Sequence, residues 1–178
     1  KAVSIEVDSF DERRQAQIDQ VWTSREQVQP GEPVELTVAL VAPDGAETSR
    51  KVTYDVPVGA PTGTLYFTVA DGGTTNLTEY RQLLGANPRS PAQLVNFLNA
   101  LRDNTKAYVR VWRATEDYDV QGQNMPAPPA SVGQILARTQ TGLGSIVPSR
   151  NSKVAELQIN ADGWVVSGNK TVQVEIKE

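Results

Sequence analysis

The residues with the types and spacing for chemistry are few, and each must be weighed against a plainer reading. Ser167-Gly168-Asn169-Lys170 has the Ser-x-x-Lys spacing by which a helix sets a serine beside an activating lysine. Its Gly-Asn centre lies between two strand-like stretches, and the companion Ser-Asp-Asn and Lys-Thr-Gly motifs are absent, so we read a turn. Glu116, Asp117 and Asp119 could form a carboxylate pair or a calcium loop. A glycosidase needs two carboxyls facing across a cleft, and a calcium loop needs several oxygens at fixed spacing. Neither pattern is complete, and a solvated acidic loop is the better reading. Asp44-Gly45, Asp71-Gly72 and Asp162-Gly163 lack the Asp-Thr/Ser-Gly form of an aspartic protease and read as turns. Asn76-Leu77-Thr78 and Asn169-Lys170-Thr171 are glycosylation sequons of the kind that arise by chance.

What is missing narrows the chemistry further. The chain has no histidine, which closes serine triads, cysteine–histidine pairs, most zinc sites and the commonest neutral-pH base. It has no cysteine, so thiolate nucleophiles, thiolate metal sites and disulfides are excluded. Gly-rich phosphate loops are absent too, and we expect neither catalysis, nor a cofactor, nor a bound metal. The net charge is −4, with basic residues scattered and densest only at Arg13-Arg14 and Arg50-Lys51. Nucleic acid is therefore not an expected partner, because phosphate neutralisation needs clustered cations. No apolar run is long enough to span a bilayer.

One strand face has the composition of a binding site. In Lys106-Ala107-Tyr108-Val109-Arg110-Val111-Trp112-Arg113, alternation sets Tyr108, Arg110 and Trp112 opposite Ala107, Val109 and Val111. With the aliphatic face in the core, Tyr108, Arg110 and Trp112 either form a binding patch or lie under a helix, with Arg110 reaching to water.

The elements that must position these residues are mostly strands. Ala2 to Asp8 and Ala16 to Trp22 alternate with period two. Pro30-Gly31-Glu32-Pro33 turns into Val34 to Leu40, Pro43-Asp44-Gly45 closes a hairpin, and Ser49 to Val56 returns. Thr64 to Ala70 is a further strand, ending at Asp71-Gly72-Gly73. Ser90-Pro91 has the form of a helix start, and Leu94, Phe97, Leu98 and Leu101 recur at helical spacing, predicting a helix that packs its stripe onto the sheet. Met125 to Pro129 is extended by its prolines, Ser131 to Arg138 is a short helix, and Gln140 to Ser152 is a mobile loop. Ala155 to Ile159 and Thr171 to Ile176 close the chain as strands, with Trp164-Val165-Val166 between them. The expectation is one domain, residues 1–178: a mainly β, immunoglobulin-like β-sandwich with one or two helices in an insertion at about 75–152.

Several of these segments together carry a resemblance. Pro30-Gly31-Glu32, Pro61-Thr62-Gly63-Thr64-Leu65, Val69-Ala70-Asp71-Gly72, Gln93-Leu94-Val95 with Leu98-Asn99, and Tyr108-Val109-Arg110 are similar to the region after the catalytic domain in acidobacterial SpoIVB-type serine peptidases. Pro128-Pro129 with Ser131-Val132, and Val166-Ser167-Gly168, fit the same region, so that the likeness spans about residues 30–170. The resemblance implies an exported or envelope-associated setting and a non-catalytic accessory module. None of the family's catalytic residues has a counterpart here. The chain opens with Lys1 and no leader pattern, so an export signal is expected upstream. The expected role is protein or peptide binding, or scaffolding. The alternatives are a carbohydrate- or envelope-binding module that stacks ligands on Trp22, Trp112 or Trp164, and a histidine-independent hydrolase.

Overall fold

The computed structural model describes residues 11, 14–85, 91–120, 123–125, 129, 131–132, 134–135 and 146–178. The chain is mainly β, with two sheets and few helices. One sheet has the order β4 (Glu47–Asp55), β3 (Pro33–Val41), β1 (Gln15–Thr23), β9 (Val165–Ser167), antiparallel except for the short β1–β9 pairing. The other runs β2 (Gln27–Val28), β10 (Asn169–Ile176), β5 (Gly63–Asp71), β6 (Lys106–Val120). β8 (Ile146–Asn160) lies on the free side of β6, and β7 (Gln123–Met125) pairs with the far end of β6. The helices α1 (Gly72–Gly85) and α2 (Pro91–Asn99) connect β5 to β6. Among the described residues no helix is long and apolar enough to cross a membrane.

Alternation decides which side chains meet between the sheets. Val34, Leu36, Val38 and Leu40 point inward from β3 and Ile18 from β1; they share one core with Leu65, Phe67 and Val69 of β5, Val109 and Val111 of β6, and Val174 and Ile176 of β10. Each such side chain contributes about 1.5–3 kcal/mol by leaving water. Phe67, fully buried, meets the Tyr54 ring edge to face at 5.7 Å. The hairpin forms where expected: Gly45 takes a φ of 84°, and the Asp44 carboxylate accepts the Ala46 N–H at 3.0 Å.

Other expectations are corrected. Asp71 ends β5 and Gly72-Gly73 starts α1 rather than forming a turn, and the predicted loop Gln140–Ser152 is described only from Ile146 on. From Ile146 onward that stretch is strand, recruited by pairing with the long β6. The helix predicted from Ser90 begins, in the described residues, at Pro91, but Leu94, Leu98 and Leu101 are exposed rather than packed onto the sheet. Of the segment from Ser131, the described positions Ser131, Val132, Gln134 and Ile135 are helical. The predicted strand Ala2–Asp8, Ser90 and Pro126–Pro128 lie outside the described residues.

Candidate functional site

On the outer face of the second sheet, Tyr108, Arg110 and Trp112 diverge in environment. Tyr108 is buried; its hydroxyl accepts the Asp103 N–H at 3.0 Å and its ring lies 5.7 Å from the Arg102 guanidinium. Arg110 and Trp112 are half-buried. The Trp112 ring stacks on Tyr66 at 4.3 Å, and its Nε1–H donates to Thr68 Oγ1 at 2.9 Å. The cover over Tyr108 is thus the Arg102–Asp103 stretch and not the predicted Ser90–Leu101 helix.

That cover is held by a charged cluster that periodicity could not reveal. Arg102, its side chain only 9% exposed, donates to Glu79 Oε1 and Oε2 at 2.7 Å each, and to Glu156 at 2.7 and 2.8 Å. Burial alone would depress the guanidinium, but the hydrogen bonds to Glu156 and Glu79 outweigh it and hold it above its ordinary range. Burial likewise pushes the Glu156 carboxyl up, yet the Arg102 hydrogen bond and the charges of Lys153 and Arg102 leave it below the usual value. Asn76 adds a two-way grip on the Arg102 backbone, accepting its N–H at 2.9 Å and donating to its carbonyl at 3.0 Å. Each nitrogen of the Arg102 guanidinium donates to a carboxylate, so the cluster holds structure.

The same contacts show that α1 is mounted with its polar side inward. Asp71 accepts from the Thr74 N–H and hydroxyl and, at 2.8 Å, from the Gly168 N–H, capping the helix and tying it to the turn before β10. Thr75, 1% exposed, donates to the Asp71 carbonyl at 2.8 Å. At Gly72 a Cβ would stand 2.4 Å from the Asp103 carbonyl oxygen, so only glycine fits. Thr75, Asn76 and Glu79 face the sheet, with Leu83 half-buried on the same side, while Leu77, Tyr80 and Leu84 lie on the exposed side. Leu77, Tyr80 and Leu84 are 41–54% exposed, as are Leu94, Val95 and Leu98 of α2 and the following Leu101. The Tyr80 and Phe97 rings meet at 5.8 Å, bringing the two helices together at that point. A surface helix normally does the reverse.

The remaining candidates are dispersed. Trp22 stands exposed on the outer face of the first sheet, beside Thr37, while Trp112 is on the opposite sheet. Trp164 lines a shallow cavity of about 110 Å³ with Leu40, Thr48, and the ion pair of Arg50 and Asp162. A small-molecule pocket is typically some three times larger or more, on the order of 300–1,000 Å³. Ser167 Oγ donates to the Ala16 carbonyl at 3.4 Å, and Lys170 is exposed on β10. The backbone of Glu116, Asp117 and Asp119 belongs to β6. Among the described residues no group of three or more acidic side chains is placed to hold a metal ion. The sequence signal for the outward face was available in Asp71-x-x-Thr74 followed by Leu77, Tyr80 and Leu84 at intervals of three and four. Compared with family models, curated proteins and solved structures, the chain matches none.

Proposed function

We propose that this chain is a non-catalytic accessory domain that binds a protein or peptide partner through the outward apolar face of α1 and α2. The single observation that carries the reading is the inverted mounting of α1: Thr75, Asn76 and Glu79 toward the sheet, Leu77, Tyr80 and Leu84 toward solvent. Leaving large apolar side chains in water forfeits their burial energy, and exposed apolar side chains gathered on neighbouring helices are typical of an interaction surface. The lack of histidine and cysteine supports the non-catalytic part. The setting follows from the resemblance to the region after the catalytic domain of SpoIVB-type peptidases: an immunoglobulin-like module of an exported, peptidase-like protein. The two-sheet plan supports the immunoglobulin-like reading.

A displayed library of helical peptides, selected on this chain, tests the binding reading. The expected result is enrichment of peptides with one apolar stripe, whose affinity falls at least about tenfold for Leu98→Lys, as loss of a central interface side chain produces. Enrichment of nothing, or of peptides indifferent to Leu98→Lys, would overturn it. The setting is tested by the full-length gene, where a histidine- and serine-bearing protease domain is expected upstream and a different neighbour would remove it.

A further inference from the structure

We infer that one end of the inter-sheet core is a binding site for a carboxylate group, held by Arg113, Tyr54 and Ser152. The site is separate from the α1–α2 face and does not depend on it. The helices join the Asp71 end of β5 to the Lys106 end of β6, and Leu65 and Arg113 are the pair at the other end. Strand register gathers the three residues there. Arg113 pairs with Leu65 of β5 and with Ser152 of β8, and it follows Val109 and Val111 at the period of two that sends side chains to one face. Leu65, Val109 and Val111 are core residues, so Arg113 is directed between the sheets, at the next inward pair after Phe67 and Val111. Tyr54 arrives from β4. Its ring packs on Phe67, and it lies near enough to Arg113 for each to feel the other's charge.

The cluster is set apart by what its members lack. Tyr54 is 7% exposed and Ser152 8%, and neither side chain has a hydrogen bond among the described residues. Arg113 is half-buried and has neither hydrogen bond nor ion pair among them. Burial holds its guanidinium below the ordinary range and pushes the Tyr54 hydroxyl above its own. Arg102, on which burial acts in the same direction, is met by two carboxylates. Buried polar groups without partners are costly, and natural folds leave few. The donor set selects the missing partner. A guanidinium only donates and each hydroxyl can donate, so the group that satisfies all three is a negatively charged acceptor. A carboxylate fits: its two oxygens take the parallel N–H pair of the guanidinium and still accept from the hydroxyls. A phosphate dianion would bring a second charge that Arg113 alone does not balance. Such a carboxylate reaches the protein as a small organic acid or as the free C-terminus of a peptide.

Nuclear magnetic resonance of the arginine side chains at neutral pH tests this. Acetate is expected to move the Arg113 Nε–H resonance to a plateau at concentrations that leave exposed Arg81 unmoved, whereas acetamide, its neutral counterpart, leaves Arg113 in place. Tyr54→Phe, which deletes only a hydroxyl without a partner, is expected to weaken acetate binding about threefold to tenfold, as loss of one hydrogen bond does. Arg113→Met is expected to abolish the acetate-induced shifts of the Leu65 and Ser152 backbone N–H groups. A peptide with a free C-terminus that binds at least about tenfold tighter than acetate and than its own amidated form assigns the site to chain ends. A smaller difference assigns it to small acids. An Arg113 resonance that responds to acetate no differently from Arg81, or acetate binding that survives both substitutions unchanged, overturns the inference.

Discussion

Replacing Arg102 by methionine isolates what holds α1 to the sheet. The substitution keeps most of the side-chain volume and removes four hydrogen bonds of 2.7–2.8 Å. Glu79 and Glu156, about one-fifth exposed, are then left together with Lys153 as the remaining cation among the described residues, at 3.7 and 3.3 Å and itself half exposed, to offset them. Removing one partner from a buried pair costs about 3–5 kcal/mol, chiefly because the remaining charge stays desolvated. At about 2–4 °C per kcal/mol for a chain of this size, the melting temperature should fall by about 6–20 °C. Thermal unfolding followed by circular dichroism gives the number. The pH dependence has a definite sign. The Glu156 carboxyl is held below its ordinary value in the fold, so its stabilisation is complete above the unfolded value and is lost as pH falls through the folded one. Arg102→Met lacks that stabilisation, and the gap to wild type should narrow on acidification. Adding Glu79→Gln and Glu156→Gln should recover most of the loss. A cost under about 1 kcal/mol, as for a solvated surface pair, with no narrowing in acid, would refute the reasoning.

Further expectations follow from single contacts. Asp71→Ala removes the α1 cap and the acceptor of the Gly168 N–H, and should cost about 2 kcal/mol in a urea melt; a loss below about 0.5 kcal/mol would contradict the role. Gly72→Ala should destabilise by about 1–3 kcal/mol, since its Cβ meets the Asp103 carbonyl; a gain, as at an ordinary helical glycine, would be the contrary result. Phe67→Ala should cost about 3–5 kcal/mol as a core truncation, against little change if the sheets did not share that core. Trp112→Phe keeps a ring against Tyr66 and loses the Thr68 hydrogen bond, so about 1 kcal/mol is expected, with a larger loss pointing to deeper burial.

The parts of the fold legible in sequence are those where local pattern and packing agree. Val34 to Leu40 alternates because one sheet face is buried, and Asp44-Gly45 supplies the turn its partner strand needs. α1 was hidden because Gly72-Gly73-Thr74-Thr75 has weak helix propensity and, with Asp71, resembles a turn; the cap at Asp71 and the packing of Thr75 and Asn76 override it. Residues 146–152, with Pro148, Ser149 and Asn151, carry no strand pattern and become strand by pairing with β6. The position of α2 was readable, but its orientation was not, because a helical stripe implies only that something covers it. The Arg102 cluster joins Glu79 and Glu156 from distant parts of the chain, and no local spacing announces such a meeting.

The proposed function requires that the α1–α2 face be free in a single chain and available to a partner. The stability of Leu98→Lys, measured by urea unfolding at high dilution where any association is absent, tests that directly, because lysine near a helix C-terminus suits the helix dipole and leaves burial as the variable. A free face predicts a change within about 0.5 kcal/mol, as for a surface substitution. A loss above about 2 kcal/mol, as for a leucine buried inside the domain, would contradict it.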